Sequence, residues 1–280
     1  MARRAGPSAR SRRLARTLRR LRAESGLSAA EVGKALAMSG SKLNRIEAAE
    51  IGIYQDDLEK LLDYYRVSRK RRVELLDIAR HAEQRGWLRM RNANLPADWQ
   101  AWSDFEDEAG SLLNYEPLML PGLLQTAEYA RSIIEATGSG LSASEIDDLV
   151  SSRMARQGLL TKTTPVQFHA IVEENVLARP FGSDGAKDRQ LRHLIDQAGR
   201  SNITLQVSRT ELGMHAGLNG PFVILEYDAE ASLVWLENKL VSMFLEEDDQ
   251  IETYARTWDD LVKLALSPEE SVDLLRELAG

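Results

Sequence analysis

The chain has 280 residues, 43% hydrophobic and 28% charged, with no cysteine and a formal net charge of −7. That length holds two ordinary domains or one large one and buries a core without disulfide or metal staples. The absence of cysteine excludes disulfides, thiolate zinc sites, iron–sulfur clusters and a cysteine nucleophile, and it suits a reducing cytoplasm. No apolar run approaches the ~18 residues of a membrane-spanning helix; Leu118–Leu124 comes nearest and is far too short. The arginine-rich N-terminus lacks the apolar h-region of a secretory signal, so export is not expected.

The charge is divided along the chain. Residues 1–85 hold 20 Lys and Arg against 11 Asp and Glu, a surplus of nine, and residues 86–280 hold 16 against 32, a deficit of sixteen. A cationic head on an anionic body points to a polyanion as the head's partner.

Residues 1–9, with Gly6 and Pro7, read as a basic arm. From Arg10 the pattern is helical, with Leu14, Leu18 and Leu21 on one stripe, and Gly26 ends the helix. Ser28 and Glu31 form a capping box for a second, short helix with Val32 and Leu36 inward. Ser39 caps a third, in which Leu43 and Ile46 face inward and Lys42, Asn44 and Arg45 face outward. A fourth helix starts at Asp56-Asp57, with Leu58, Leu61, Leu62 and Tyr65 on its apolar side. Ser68 opens a fifth, whose Val73, Leu76 and Ala79 recur at helical spacing. These five helices predict a compact all-α domain over 10–85, and 86–99, with Gly86 and Pro96, reads as a linker.

The remainder, 100–280, reads as an α+β domain with a small sheet of about four strands. Helices are expected around Trp102–Ala109, after Pro121-Gly122 and over about 144–160, 187–198, 249–265 and 268–278. Strands are expected at Val166–Val172, Ile203–Val207, Phe222–Tyr227 and Leu233–Leu236, the last two joined by a turn over Asp228–Ala231.

Two short helices joined by a tight turn are what a helix-turn-helix requires, the second lying in the major groove while the first crosses the phosphates. Ser28, Ser39 and Ser41 offer hydroxyls, Lys42 a charge for phosphate, and Arg45 a fork that can reach a guanine edge. The segment Leu27–Glu47, preceded by Leu18–Arg22, resembles the XRE (Cro/CI-type) helix-turn-helix. The resemblance implies base reading by Gly40, Ser41, Asn44 and Arg45, and a structural ion pair between Arg22 and Glu47. The family often carries glutamine where this chain has Ala29 and glycine at the turn where it has Ala37; with Ala29 apolar and Gly40 lacking a side chain, fewer side chains than usual can read bases.

The stretch Pro121–Ala130, with Arg153, Arg156-Gln157, Glu174, Leu177, His215–Gly217 and Ala265–Ser271, resembles the C-terminal domain of WhiJ-like regulators of actinomycetes. It implies a cytoplasmic transcription regulator, nucleoid-associated when bound to double-stranded DNA. Its body would bind a small partner protein encoded nearby, or a signal; a homodimer held through the body is expected on separate grounds, because one helix-turn-helix with so few base-reading side chains covers too little sequence.

Catalytic signatures are missing: no P-loop, no HExxH, no GxSxG, and four histidines without ligand spacing. No cofactor, metal or catalytic residue is therefore expected. His169 reads as a sheet residue and His193 as solvated, while Trp99, Trp102 and Trp258 read as core anchors. His215 and Gly217, in a glycine-dense loop, and Gln125 and Arg153 are the candidate ligand or partner residues. Two alternatives stay open. One is an antitoxin-like protein that neutralises a small neighbouring partner and autoregulates; the other is a DNA-tethered enzyme.

Overall fold

The computed structural model describes residues 7–82, 87–90, 97–228, 231–239 and 241–280. Most of the expected basic arm, Gly86 and Pro96 of the expected linker, the centre of the Asp228–Ala231 turn and the side chain of Trp99 lie outside the described residues. The chain divides into two compact units, one ending at Trp87 and the other starting at Leu88.

The first unit is helical: α1 (Ala9–Glu24), α2 (Ala29–Ala35), α3 (Gly40–Glu47), α4 (Gln55–Tyr64) and α5 (Arg69–Arg80). Serine side chains set most of the starts. The hydroxyls of Ser8, Ser28, Ser39 and Ser68 each accept a hydrogen bond from the backbone N–H three residues on. At seven and eight residues, α2 and α3 are too short to be stable alone. Packing holds them: Val32, Leu43 and Ile46 join Leu14, Leu18, Leu58, Leu61, Leu62, Leu75 and Ile78 in one core. Each fully buried aliphatic side chain there contributes about 1.5–3 kcal/mol.

One face differs from the sequence reading. In α5 it is Leu75 and Ile78 that are buried, Leu76 and Ala79 pack at the edge, and Val73 is 64% exposed. The run Val73–Ala79 offers adjacent apolar stripes at helical spacing, and packing against α1 and α4 selects between them.

In the second unit, α6 (Ala97–Glu108) precedes β2 (Ser111–Glu116), and β1 (Trp87–Met90) falls at the division. Then come α7 (Ala127–Thr137), α8 (Ala143–Arg156), β3 (Gln167–Glu173), α9 (Glu174–Ala178), α10 (Ala186–Ala198) and β4 (Ile203–Ser208). The chain continues through β5 (Phe222–Glu226), β6 (Leu233–Glu237), β7 (Val241–Leu245), α11 (Asp248–Leu264) and α12 (Pro268–Ala279). Strands β2 to β7 form a mixed sheet in the order β7-β6-β5-β2-β3-β4, with β1 beside β7 at the edge. β2, β3 and β4 run parallel, and β2, β5, β6 and β7 pair antiparallel.

The α+β class agrees with expectation, and β2 and β7 add to the four strands read from sequence. Central strand β2 buries Leu112 on one face and Tyr115 on the other, so it lacks the alternation that marks a half-exposed strand. One face of the sheet presents Tyr115, Ile171, Phe222, Ile224 and Val234 to Trp258 and Leu261 of α11. On the other, Trp102 and Phe105 of α6 meet Trp235 and Phe244 with ring centroids 4.7–4.8 Å apart.

Candidate nucleic-acid interface

The joint between α2 and α3 is built on two glycines. A Cβ on Gly33 would stand 2.6 Å from the Met38 carbonyl oxygen, and one on Gly40 would stand 3.1–3.2 Å from the backbone of Ala29 and Ala30. Gly40 therefore seats the start of α3 against α2. Ala37, where the family often has glycine, adopts φ 55°, a left-handed conformation that strains a residue with a Cβ. Ala29 is buried and Ala30 exposed, so the polar side chains at the start of α2 are Ser28 and Glu31, which are joined in the capping box.

Ser41, Asn44 and Arg45 are exposed on α3, whereas Leu43 and Ile46 are buried beneath them. Arg45 lies 3.4 Å from Glu50, with both side chains more than half exposed, so that contact is easily exchanged for another. Lys42 is held more closely: its ammonium donates to the Asp57 carboxylate of α4 at 2.6 Å. The Ser28 hydroxyl is engaged in its capping box with Glu31, and the Ser39 hydroxyl accepts from the Lys42 N–H.

Behind this surface Arg22 clamps Glu47. Its Nε donates to Oε1 at 2.8 Å, its Nη2 to Oε2 at 2.7 Å, and its Nη1 to the Leu27 carbonyl at 3.0 Å. The Glu47 side chain is 3% exposed, and its hydrogen bonds raise the Arg22 guanidinium above its ordinary pKa. One side chain thus ties α1 to the end of α3 and to the approach of α2.

In the second unit the singled-out residues lie on opposite faces of β2. On one side Gln125 is buried, donating to the Leu120 carbonyl at 2.7 Å and accepting from Arg153 at 2.9 Å. Gln157 donates to the Gln125 carbonyl at 2.7 Å, and Arg156 grips the buried Glu106 with two hydrogen bonds of 2.7 and 2.8 Å. Nearby, burial pushes the Glu116 carboxyl up to about 8, against the pull of Asn114 and Arg153.

On the α11 side, the buried Tyr115 hydroxyl donates to Glu173 at 2.9 Å, and His215 Nε2 lies 3.5 Å from the same carboxylate oxygen. Burial and this carboxylate raise the Tyr115 hydroxyl above its ordinary pKa. The Gly217 backbone packs against the hydroxyl end of the Tyr115 ring, where a Cβ would stand 2.5 Å from Cζ. The fold therefore brings Gln125 to Arg153 and His215 to Gly217, but not the two pairs to each other. Tyr115, Glu173 and Asp57 were not singled out from sequence, since each gains its role from a contact distant along the chain.

His169 of β3 meets Gln206 of the neighbouring β4 and the Trp258 ring of α11. His193 corrects the sequence reading: it is half-buried, and desolvation lowers its pKa. Among the described residues no group of three or more His, Asp or Glu is placed to hold a metal ion, and no helix is long and apolar enough to cross a membrane.

Comparison with known proteins adds two matches. A family model described as "Domain of unknown function (DUF5753)" covers residues 99–277, and one described as "Helix-turn-helix domain" covers 13–75. No curated protein matches the chain. Among solved structures, that of TrmBL2, an archaeal chromatin protein described as showing a novel mode of DNA binding, is 14% identical. It covers 76% of this chain and 67% of that one with a TM-score of 0.32, too low to bear on fold or function.

Proposed function

This chain belongs to the DUF5753 family and carries a helix-turn-helix domain ahead of it; from that premise we propose a sequence-specific transcription regulator of the XRE type with a WhiJ-like body. The observation that carries the reading is the exposed row Ser41, Asn44 and Arg45 on a helix locked from behind by Arg22–Glu47. A reading helix needs a rigid seat and free side chains together, because base contacts tolerate little misplacement. The surplus of nine positive charges over residues 1–85 supplies attraction to phosphate.

In this reading α3 enters the major groove, Arg45 reaches a base edge, and Asn44 and Ser41 add polar contacts. Lys42 serves phosphate, in competition with Asp57. Ser28, Ser39 and Gly40 act chiefly by fixing the helix starts. The body dimerises, setting two heads on half-sites about 34 Å apart or a multiple of it. It also receives a small partner protein or a signal.

The test is selection of duplexes from a random library by the full-length protein, followed by titration of the selected site over a range of salt. Saturable binding that weakens steeply with salt, at a slope of about 0.9 per phosphate contacted, is the expected result. No duplex affinity at low salt would overturn the reading.

A further inference from the structure

We propose that the head binds DNA twice: α3 reads one duplex, and a basic face of α1 and α5, on the other side of the core, holds a second. The proposal rests on the DNA-binding reading above and adds a bridging function to it. The charge of the head does not lie on its reading surface. Residues 27–60, which carry α2, α3 and the start of α4, hold four Lys and Arg against six Asp and Glu. There Lys42 and Lys60 meet Asp57, and Arg45 meets Glu50. Residues 1–26 and 61–85 together hold 16 against 5. A surface neutralised from within attracts a polyanion weakly, so the surplus acts from the segments that carry α1 and α5.

These two helices run antiparallel, with Arg13 on Glu74 at 2.7 Å and Arg10 on the His81 carbonyl at 3.2 Å. Counted at about 100° per residue from the Arg13–Glu74 contact, Arg19 of α1 and Arg69 and Arg80 of α5 fall on one side of the pair. Leu14, Leu18, Leu75 and Ile78 fall on the other, inside the core. The exposure of Val73, on the same stripe as Arg69 and Arg80, agrees with that placement. Among the described residues Arg19, Arg69 and Arg80 are exposed and pair with no acid. Asp77, exposed on that side, stands against His81 at 3.6 Å.

On α3, Leu43 and Ile46 point into the same core and Ser41, Asn44 and Arg45 point away from it. A straight duplex seated on α3 therefore lies across the core from the three arginines. Their spacing selects an extended anion. Arg69 and Arg80 are eleven residues apart, about 16 Å along the helix, too far to converge on one small anion. Duplex DNA, with one charge per ~1.7 Å of axis, offers phosphates at such a spacing. Nor does the basic run at 69–72 serve the helix, since cations in a first turn oppose its dipole.

The experiment immobilises the selected duplex, saturates it with the full chain and adds a second, labelled duplex of random sequence at low salt. The unaltered chain should capture the second duplex saturably. Combining Arg19→Gln, Arg69→Gln and Arg80→Gln should lower that capture by about tenfold or more, with the thermal transition unchanged. Affinity for the selected duplex should fall by less than about threefold. No capture by the unaltered chain, or equal capture by the variant, would overturn the proposal and leave the DNA-binding reading standing. Displacement of the second duplex by far less RNA than DNA would overturn it in favour of an RNA partner. A chain that fails to hold even the first duplex overturns that reading, and the proposal with it.

Discussion

The two units use the side chains that stand out in their sequences in opposite ways. In the head, Ser41, Asn44 and Arg45 point to solvent from a short helix, and one buried ion pair behind them keeps the helix in place. In the body, Gln125, Arg153, His215 and Gly217 point inward: Gln125 is 1% exposed, the His215 side chain 3%, and Gly217 is pressed on a ring. A recognisable motif can therefore mark an exposed row in one unit and an architectural joint in the other. Burial of the side chain separates the two cases, since a group that must meet a partner has to be reachable.

The largest expected effects test whether the buried ion pairs act independently in the two units. Arg22→Ala strands Glu47 in the head, and Arg156→Ala strands Glu106, 1% exposed, in the body. Each should destabilise its own unit by about 3–5 kcal/mol, because an unpaired buried charge costs more than the pair contributes. Segment-resolved hydrogen exchange should show faster opening only in the unit carrying the substitution. Faster exchange of both units from either variant would join what the comparison separates.

Gly217→Ala probes the body's inward residues. Its methyl group must displace the Tyr115 ring, so a loss of about 1–3 kcal/mol in urea denaturation is expected. A neutral result would mean that the loop yields easily and that Gly217 is not a structural joint.

Arg45→Ala should do the reverse, leaving stability within about 0.5 kcal/mol of the original. It should cost about 1–3 kcal/mol of discrimination between the selected site and random duplex. Equal loss on both duplexes would reassign Arg45 to the phosphate backbone. Asp57→Asn, which releases Lys42, should strengthen binding to all sequences alike and make it slightly more salt-dependent.

The smallest expected change is a gain. Ala37→Gly relieves a left-handed alanine in an exposed turn, and the head should become more stable by about 1 kcal/mol in its denaturation midpoint. A loss instead would show that the glycine's extra freedom in the unfolded chain outweighs the relief.

The sequence alone determined what depends on neighbours within a few residues. The caps at Ser28, Ser39 and Ser68, the inward Leu and Ile of α1 to α4, the outward row on α3 and the assignment of β3 to β6 all follow from spacing and local hydrogen bonding, whereas Ser8 and Ala9, read as part of the basic arm, prove to be the cap and first residue of α1. The tertiary structure decided what depends on residues far apart. It chose Leu75 and Ile78 over Val73 in α5, because α1 and α4 pack there. It made β2 the parallel partner of β3, a pairing that joins Ser111 to Gln167 across two intervening helices. It also set His215 beside Glu173 and Gln125 beside Arg153, each a contact between residues far apart in the chain. Short-range pattern records which face a residue prefers, but only the assembled sheet determines which distant side chain waits on that face.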